Sequence, residues 1–203
     1  ILVVIKFALS IIFIFCILVI NKQISYMQHR DLGFNKDRVM VIYPQTKPET
    51  VDVIAAQIEK ISGVSKVALG ANVPVNMGNF NTFGKWDGNV SGKSLMFFMM
   101  QVDDGYLDLL DIKLTEGRQF NIGSINTEVI INETAVKKLE MAEPLGKTIW
   151  LNEVRYTIIG VVKDFHFHKL KDDVNPVFIY KNKDWWLKMI FVKLEPGNHF
   201  QIV

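Results

Sequence analysis

The sequence predicts an α+β protein. One transmembrane helix with a helical stalk leads into a mixed domain, in which a β-α-β segment is followed by mostly β sequence. Three observations predict this. The first twenty residues are almost wholly apolar, and residues 38–69 read as strand, amphipathic helix, strand. Most of the chain beyond residue 70 alternates short β-branched or aromatic runs with Gly, Asn and Pro turn signals.

Eighteen of the first twenty residues are apolar, Lys6 and Ser10 being the exceptions, and sixteen are Ile, Leu, Val or Phe. Twenty helical residues cover roughly 30 Å, the thickness of a bilayer's hydrocarbon core. Sixteen strongly apolar side chains favour insertion by roughly 5–10 kcal/mol, and Lys6 opposes it by at most about 3. A cleaved signal peptide fits badly, because no small-residue cleavage pattern follows the apolar run. The chain starts at Ile1 rather than Met and reaches Val203 without closing signals, so it is expected to be an excerpt of a longer protein.

Ile20, Ile24, Met27 and Asp31 continue at helical spacing, and the first breaker is Gly33, a suitable residue just past a helix end. A helix to Leu32 would project about twelve residues, roughly 18 Å, beyond the bilayer. Lys22, Ser25, Tyr26, Arg30 and Gly33 are the candidate residues of this stalk, with Tyr26 near the interface where aromatic rings are favoured. Lys22, Arg30, Lys36 and Arg38 would by the positive-inside rule place this flank in the cytoplasm, but long domains translocate largely regardless of charge.

Residues 38–43 read as a strand closed by Pro44. Thr46 and Glu49 are spaced as a capping box with Pro48 in the first turn, and Val51, Ile54, Ile58 and Ile61 make one apolar helix face before Gly63. Residues 64–69 are the return strand. Residues 72–93 are rich in Asn and Gly and read as loops with an irregular hairpin. A strand at 95–102, a short helix at 106–110 and a turn at 114–118 come next. A strand at 127–131 then feeds a short helix capped by Asn132, with Ala135, Val136 and Leu139 inward. Residues 147–151 and 155–163 form a hairpin around Asn152 and Glu153, and 177–180 and 187–194 are the last strands.

Charge excludes one function class. With Lys6 set aside, 22 Lys and Arg face 21 Asp and Glu, with no basic stripe for nucleic acid. The single cysteine, Cys16, lies in the apolar run, so the domain contains no disulfide. Gly146, Lys147 and Thr148 suggest a phosphate loop, but Met141 stands where its first glycine is required and a strand follows where a helix is needed. Asp164, His166 and His168 alternate, so on a strand they would share a face and could hold a metal. No second cluster supplies a fourth ligand, which favours a polar face above a Phe165 and Phe167 core. Asp103, Asp104, Asp172 and Asp173 read as turn or helix-start residues, and Trp185 and Trp186 as a contact patch or core. No cofactor and no catalytic set is expected.

Several blocks together resemble the permeases of the macrolide-exporter (MacB) and FtsX-like ABC transporter family, most closely those of Bacteroidetes. They are Val4, Phe7 and Ser10 in the helix, Tyr26 and Met27, and residues 31–39, 131–139, 144–148 and 158–166. The resemblance spans nearly the whole chain. It implies a transmembrane helix at 1–20, a stalk at 21–34 and the first part of a porter-like lobe at 35–71. An inserted β-rich lobe at 72–125 comes next, and residues 126–203 return to the first lobe. It further implies an inner-membrane permease with residues after about 34 extracytoplasmic. ATP hydrolysis would fall to a separate ABC ATPase subunit or domain, and the other partners would be a second permease copy or half and a periplasmic adaptor or substrate. From the residues alone, a membrane-anchored sensor or binding module and a tethered metalloenzyme stay open as alternatives.

Overall fold

In the computed structural model, the described residues are 2–29, 32–74, 77, 80–83, 85–89, 92–121, 127–151, 153–167, 173–181 and 188–197. The chain divides into two units, residues 1–32 and 33–203.

The first unit holds one helix, α1 (Leu2–His29). Its apolar stretch, long enough to cross a membrane, is Leu2–Ser25, longer than the twenty residues expected. Every side chain described along α1 is exposed. The helix was expected to reach Leu32. It is described to His29, Leu32 is already non-helical, and Arg30 lies outside the described residues.

The second unit is built from β1 (Val39–Ile42), α2 (Pro48–Ile58), β2 (Val64–Gly70), β3 (Phe80–Phe83), β4 (Leu95–Gln101), α3 (Tyr106–Leu109) and β5 (Leu114–Gly117). Then come β6 (Glu128–Asn132), α4 (Glu133–Leu139), β7 (Thr148–Leu151), β8 (Val154–Val162), β9 (Val177–Tyr180) and β10 (Met189–Leu194). They form a three-stranded sheet ordered β1-β10-β2 and a seven-stranded sheet ordered β3-β4-β9-β6-β8-β5, with β7 paired to β8.

The β-α-β reading holds with an addition. β1 and β2 are not neighbours: β10 lies between them, antiparallel to both, pairing Val192 with Met40 on one side and with Val67 on the other. The lobes also divide differently from expectation. Strands β3, β4 and β5, from 72–125, share a sheet with β6, β7, β8 and β9, from 126–203, so no sheet boundary falls at 125. Among the described residues, β10 is the one later strand that returns to the first sheet.

Two local expectations are corrected. The Thr46 and Glu49 capping box does not form: Lys47 is the N-cap of α2 and makes no side-chain capping bond, while Pro48 supplies the helical φ at the first position. The stretch expected as a turn at 114–118 is β5, in which Gly117 (φ +77°) lies so close to Ile159 that a Cβ would come within 3 Å of its carbonyl oxygen. The hairpin of β7 and β8 is as read, with Leu151 opposite Val154 and Glu153 at φ +67°.

The central strands of the larger sheet are buried on both faces, so alternate residues serve two cores. Phe97, Met99, Val129, Ile131 and Phe178 point toward α4, whose Ala135 and Leu139 seal that side. Phe98, Met100, Ile130, Val177 and Ile179 point the other way, into a core shared with Tyr106 of α3 and Phe191 of β10. α2 covers the far face of the small sheet through Val51 and Ala55 against Ile190 and Val192. The layers therefore run α4, large sheet, small sheet, α2. The sheets also meet directly where Gly70 bridges Val102.

Candidate functional site

The segment that leads the chain into the second unit, residues 33–38, is held to both sheets. Gly33 adopts φ +80°, a left-handed conformation that glycine takes without strain. An added Cβ there would lie 2.7 Å from the Asp164 carbonyl oxygen and 2.8 Å from the Phe165 Cα, both backbone atoms. Gly33, expected as a helix stop, also makes this backbone-to-backbone approach. Phe34 packs edge-on against Phe165, with ring centroids 6.4 Å apart and planes at 87°. The Asn35 N–H donates to the Leu110 carbonyl at 2.7 Å, and the Asn35 side chain accepts from Asp37 N–H at 2.9 Å, closing a turn. Arg38 then takes φ +59°, and its carbonyl accepts from Leu194 N–H at 2.9 Å, so β1 starts beside the end of β10.

Asp164, on the far side of that contact, is fully engaged. One carboxylate oxygen accepts from the Asn132 side-chain amide at 2.8 Å and from Thr134 N–H at 2.9 Å, and the other accepts from the Thr134 hydroxyl at 2.8 Å. Its own N–H donates to Glu133 at 3.2 Å. Asn132 is wholly buried and ties three further points together. Its side-chain oxygen accepts from Ala135 N–H (3.1 Å) and Val177 N–H (2.9 Å), and its amide donates to the Asn175 carbonyl (3.0 Å). A carboxylate at the first turn of α4 also meets the positive end of the helix.

This arrangement assigns the Asp164 motif. Residues 163–167 run on past β8 without strand pairing, yet the alternation persists: Phe165 and Phe167 are buried, Asp164 and His166 half-buried. Among the described residues no three His, Cys, Asp or Glu side chains are gathered as a metal set requires, and His168 lies outside those residues. The chemistry of Asp164 is that of a helix cap and anchor. Of the stalk residues, Lys22 and Ser25 are exposed on α1, and Tyr26 belongs to its last turn. Trp185 and Trp186 are outside the described residues.

The sequence reading missed the role of Phe34 and of Lys193. Phe34 carried a legible signal, an aromatic residue directly after a glycine break. Lys193 lies opposite Val39 on β10, and its ammonium, shielded from solvent, has no hydrogen-bond partner among the described residues. Desolvation lowers its pKa, Arg38 adds to that, and Asp37 and Asp111 pull the other way. At the seam between the sheets, Asp103 accepts from Leu69 N–H at 2.6 Å and from Gly105 N–H at 3.1 Å.

A long apolar helix is thus joined to a layered domain with two sheets. The chain matches the family of MacB-like periplasmic core domains over residues 1–202 and belongs to it. It is 32% identical over 114 residues to YvrN, an uncharacterized ABC transporter permease of Bacillus subtilis strain 168, covering 49% of this chain and 28% of that protein. The chain thus spans about a quarter of that relative's length. Two solved structures share the fold. The periplasmic region of MacB from Actinobacillus actinomycetemcomitans matches with a TM-score of 0.53 and 19% identity, over 83% of this chain and 79% of that one. The extracellular domain of the ABC-type transporter YknZ from Gram-positive bacteria matches with a TM-score of 0.54 and 15% identity, over 78% and 84%. A domain of a permease protein from Porphyromonas gingivalis is also similar, with a TM-score of 0.51 and 19% identity, over 72% of this chain and 62% of that one. The resemblance to MacB-like ABC transporter permeases read from the sequence is therefore correct.

Proposed function

We propose that this chain is part of an ABC transporter permease subunit whose extracytoplasmic domain couples ATP-driven motion of transmembrane helices to substrate export or to a mechanical signal. The observation that carries the reading is the direct continuity of α1, apolar over Leu2–Ser25, with a domain of the MacB-like periplasmic core family. In this reading the subunit resides in the cytoplasmic membrane, with the second unit outside. A separate ABC ATPase hydrolyses ATP, and a second permease copy or half completes the pair. In this reading catalysis belongs to the ATPase, and a periplasmic adaptor or a substrate would meet the second unit.

The lead-in segment supports the mechanical part of the reading. β1 begins at Val39 immediately after it, and β10 ends at Leu194 against the same edge. The first and last of the described strands are therefore hydrogen-bonded neighbours. Displacement of the lead-in segment would load this antiparallel ladder.

The test is a gentle-detergent pull-down of the tagged full-length parent protein, with stoichiometric partners identified by mass spectrometry. A co-purifying ABC ATPase is the expected result. A signalling kinase in its place, or no partner, would overturn the permease reading in favour of a membrane-anchored sensor.

A further inference from the structure

We infer that the contact of Gly33 with the Asp164 and Phe165 backbone is the coupling point through which displacement of the membrane helix reaches the larger sheet, with Gly33 and Asp164 as positioning residues. The inference rests on the permease reading above and names the residues through which that reading would act.

Three features of the contact carry it. First, it is backbone on backbone, since an added Cβ at Gly33 would lie under 3 Å from the Asp164 carbonyl oxygen and the Phe165 Cα. A displacement arriving along the chain at Gly33 therefore meets no compliant side chain. Second, Asp164 is fixed on its far side by Asn132 and Thr134, and its N–H is held by Glu133. Third, Asn132 spreads the load: it terminates β6, caps α4 and holds Val177 at the start of β9. The path from Gly33 thus reaches β6, β8 and β9, three adjacent strands of the sheet, within two side chains. The small sheet receives the same displacement by its own route, through β1. Residues 33–39 therefore bind the two sheets to one lead-in.

The Thr134 amide reports on this path, because it donates to Asp164. The experiment is hydrogen–deuterium exchange on the assembled full-length transporter in nanodiscs, nucleotide-free and trapped with ATP on a hydrolysis-deficient ATPase subunit. In the wild type, ATP trapping is expected to change Thr134 exchange by about tenfold, the equivalent of one hydrogen bond made or broken. Gly33→Ala and Asp164→Ala should abolish that change, and Asp164→Asn, which keeps an acceptor oxygen, should retain it. Unaltered nucleotide-free protection in β2 and β10 shows that a variant is folded; if Gly33→Ala disturbs it, Phe34→Ala replaces it with the same expectation. A wild-type-sized response in Gly33→Ala or Phe34→Ala would overturn the coupling point and leave the permease reading intact. A wild type with no ATP-dependent change beyond residue 33 would overturn that reading and this inference with it.

Discussion

Asp103 sits where the two sheets meet, and its surroundings set a pH dependence. Burial pushes its pKa up to about 6, Asp104 beside it pushes the same way, and the amides of Leu69 and Gly105 hold it back. A carboxylate raised above its unfolded value favours the fold when protonated. Its contribution is complete at or below about pH 4 and is lost as pH rises through about 6. A shift of about two pKa units corresponds to roughly 3 kcal/mol, an upper figure because Asp103 is only half-buried. Urea unfolding of the unit 33–203 should therefore show this loss between about pH 4 and 6.5, and Asp103→Asn should flatten the curve in that window. The lowered carboxylate of Asp108, held by Gln119 and Lys66, acts at lower pH and does not obscure it. At the other end of the larger sheet, Asn132→Ala removes a helix cap and strands the Val177 N–H, a loss of about 2–4 kcal/mol on the same unfolding measurement. Asn132 and Asp164 were not equally legible. Asn132 announced itself as a cap, because capping is local in sequence. Asp164 did not, because its partners are Thr134 and Asn132, some thirty residues earlier, and only the fold brings them together.

Element identities followed from local pattern, whereas element partners did not. The strand at 189–194 was readable from its alternation, but nothing in it says that it inserts between β1 and β2, from which it is separated by more than a hundred residues. Pairing is decided by which apolar faces fit: Ile190 and Val192 meet α2 while Phe191 meets Tyr106, and only a central position lets β10 bury both faces. β5 was read as a turn because its Gly117 is a turn residue in isolation; in the fold, it is a glycine required by close approach to Ile159. The same local reasoning gives a prediction for α1. Ser25 lies inside the helix, and a proline there removes a backbone hydrogen bond and clashes with the preceding turn, about 3 kcal/mol against helix. If α1 acts as a lever, Ser25→Pro abolishes transport-dependent phenotypes at unchanged expression, scored by complementation and by immunoblot of the membrane fraction. Full complementation would remove the lever from the mechanism.

At the scale of the whole molecule, sequence charge and family membership disagree about which side of the membrane holds the second unit. Lys22, Arg30, Lys36 and Arg38 follow the first twenty residues on the side that the positive-inside rule assigns to the cytoplasm. A domain of some 170 residues lies beyond the range in which that rule governs, because long domains translocate largely regardless of flanking charge. The membership of residues 1–202 in a periplasmic core family therefore decides the expectation. It can be checked with cysteine chemistry, since Cys16, the only cysteine in the sequence, lies within the apolar stretch, out of reach of a charged reagent in a bilayer. Lys138→Cys places a thiol on an exposed face of α4. A membrane-impermeant maleimide applied to intact cells, or to spheroplasts where an outer membrane intervenes, should modify the peptide carrying position 138 and leave the Cys16 peptide untouched. Modification of position 138 only after lysis would place the unit in the cytoplasm. The lead-in contact at Gly33 and Asp164 would then still organise the fold, but it would have no extracytoplasmic displacement to transmit.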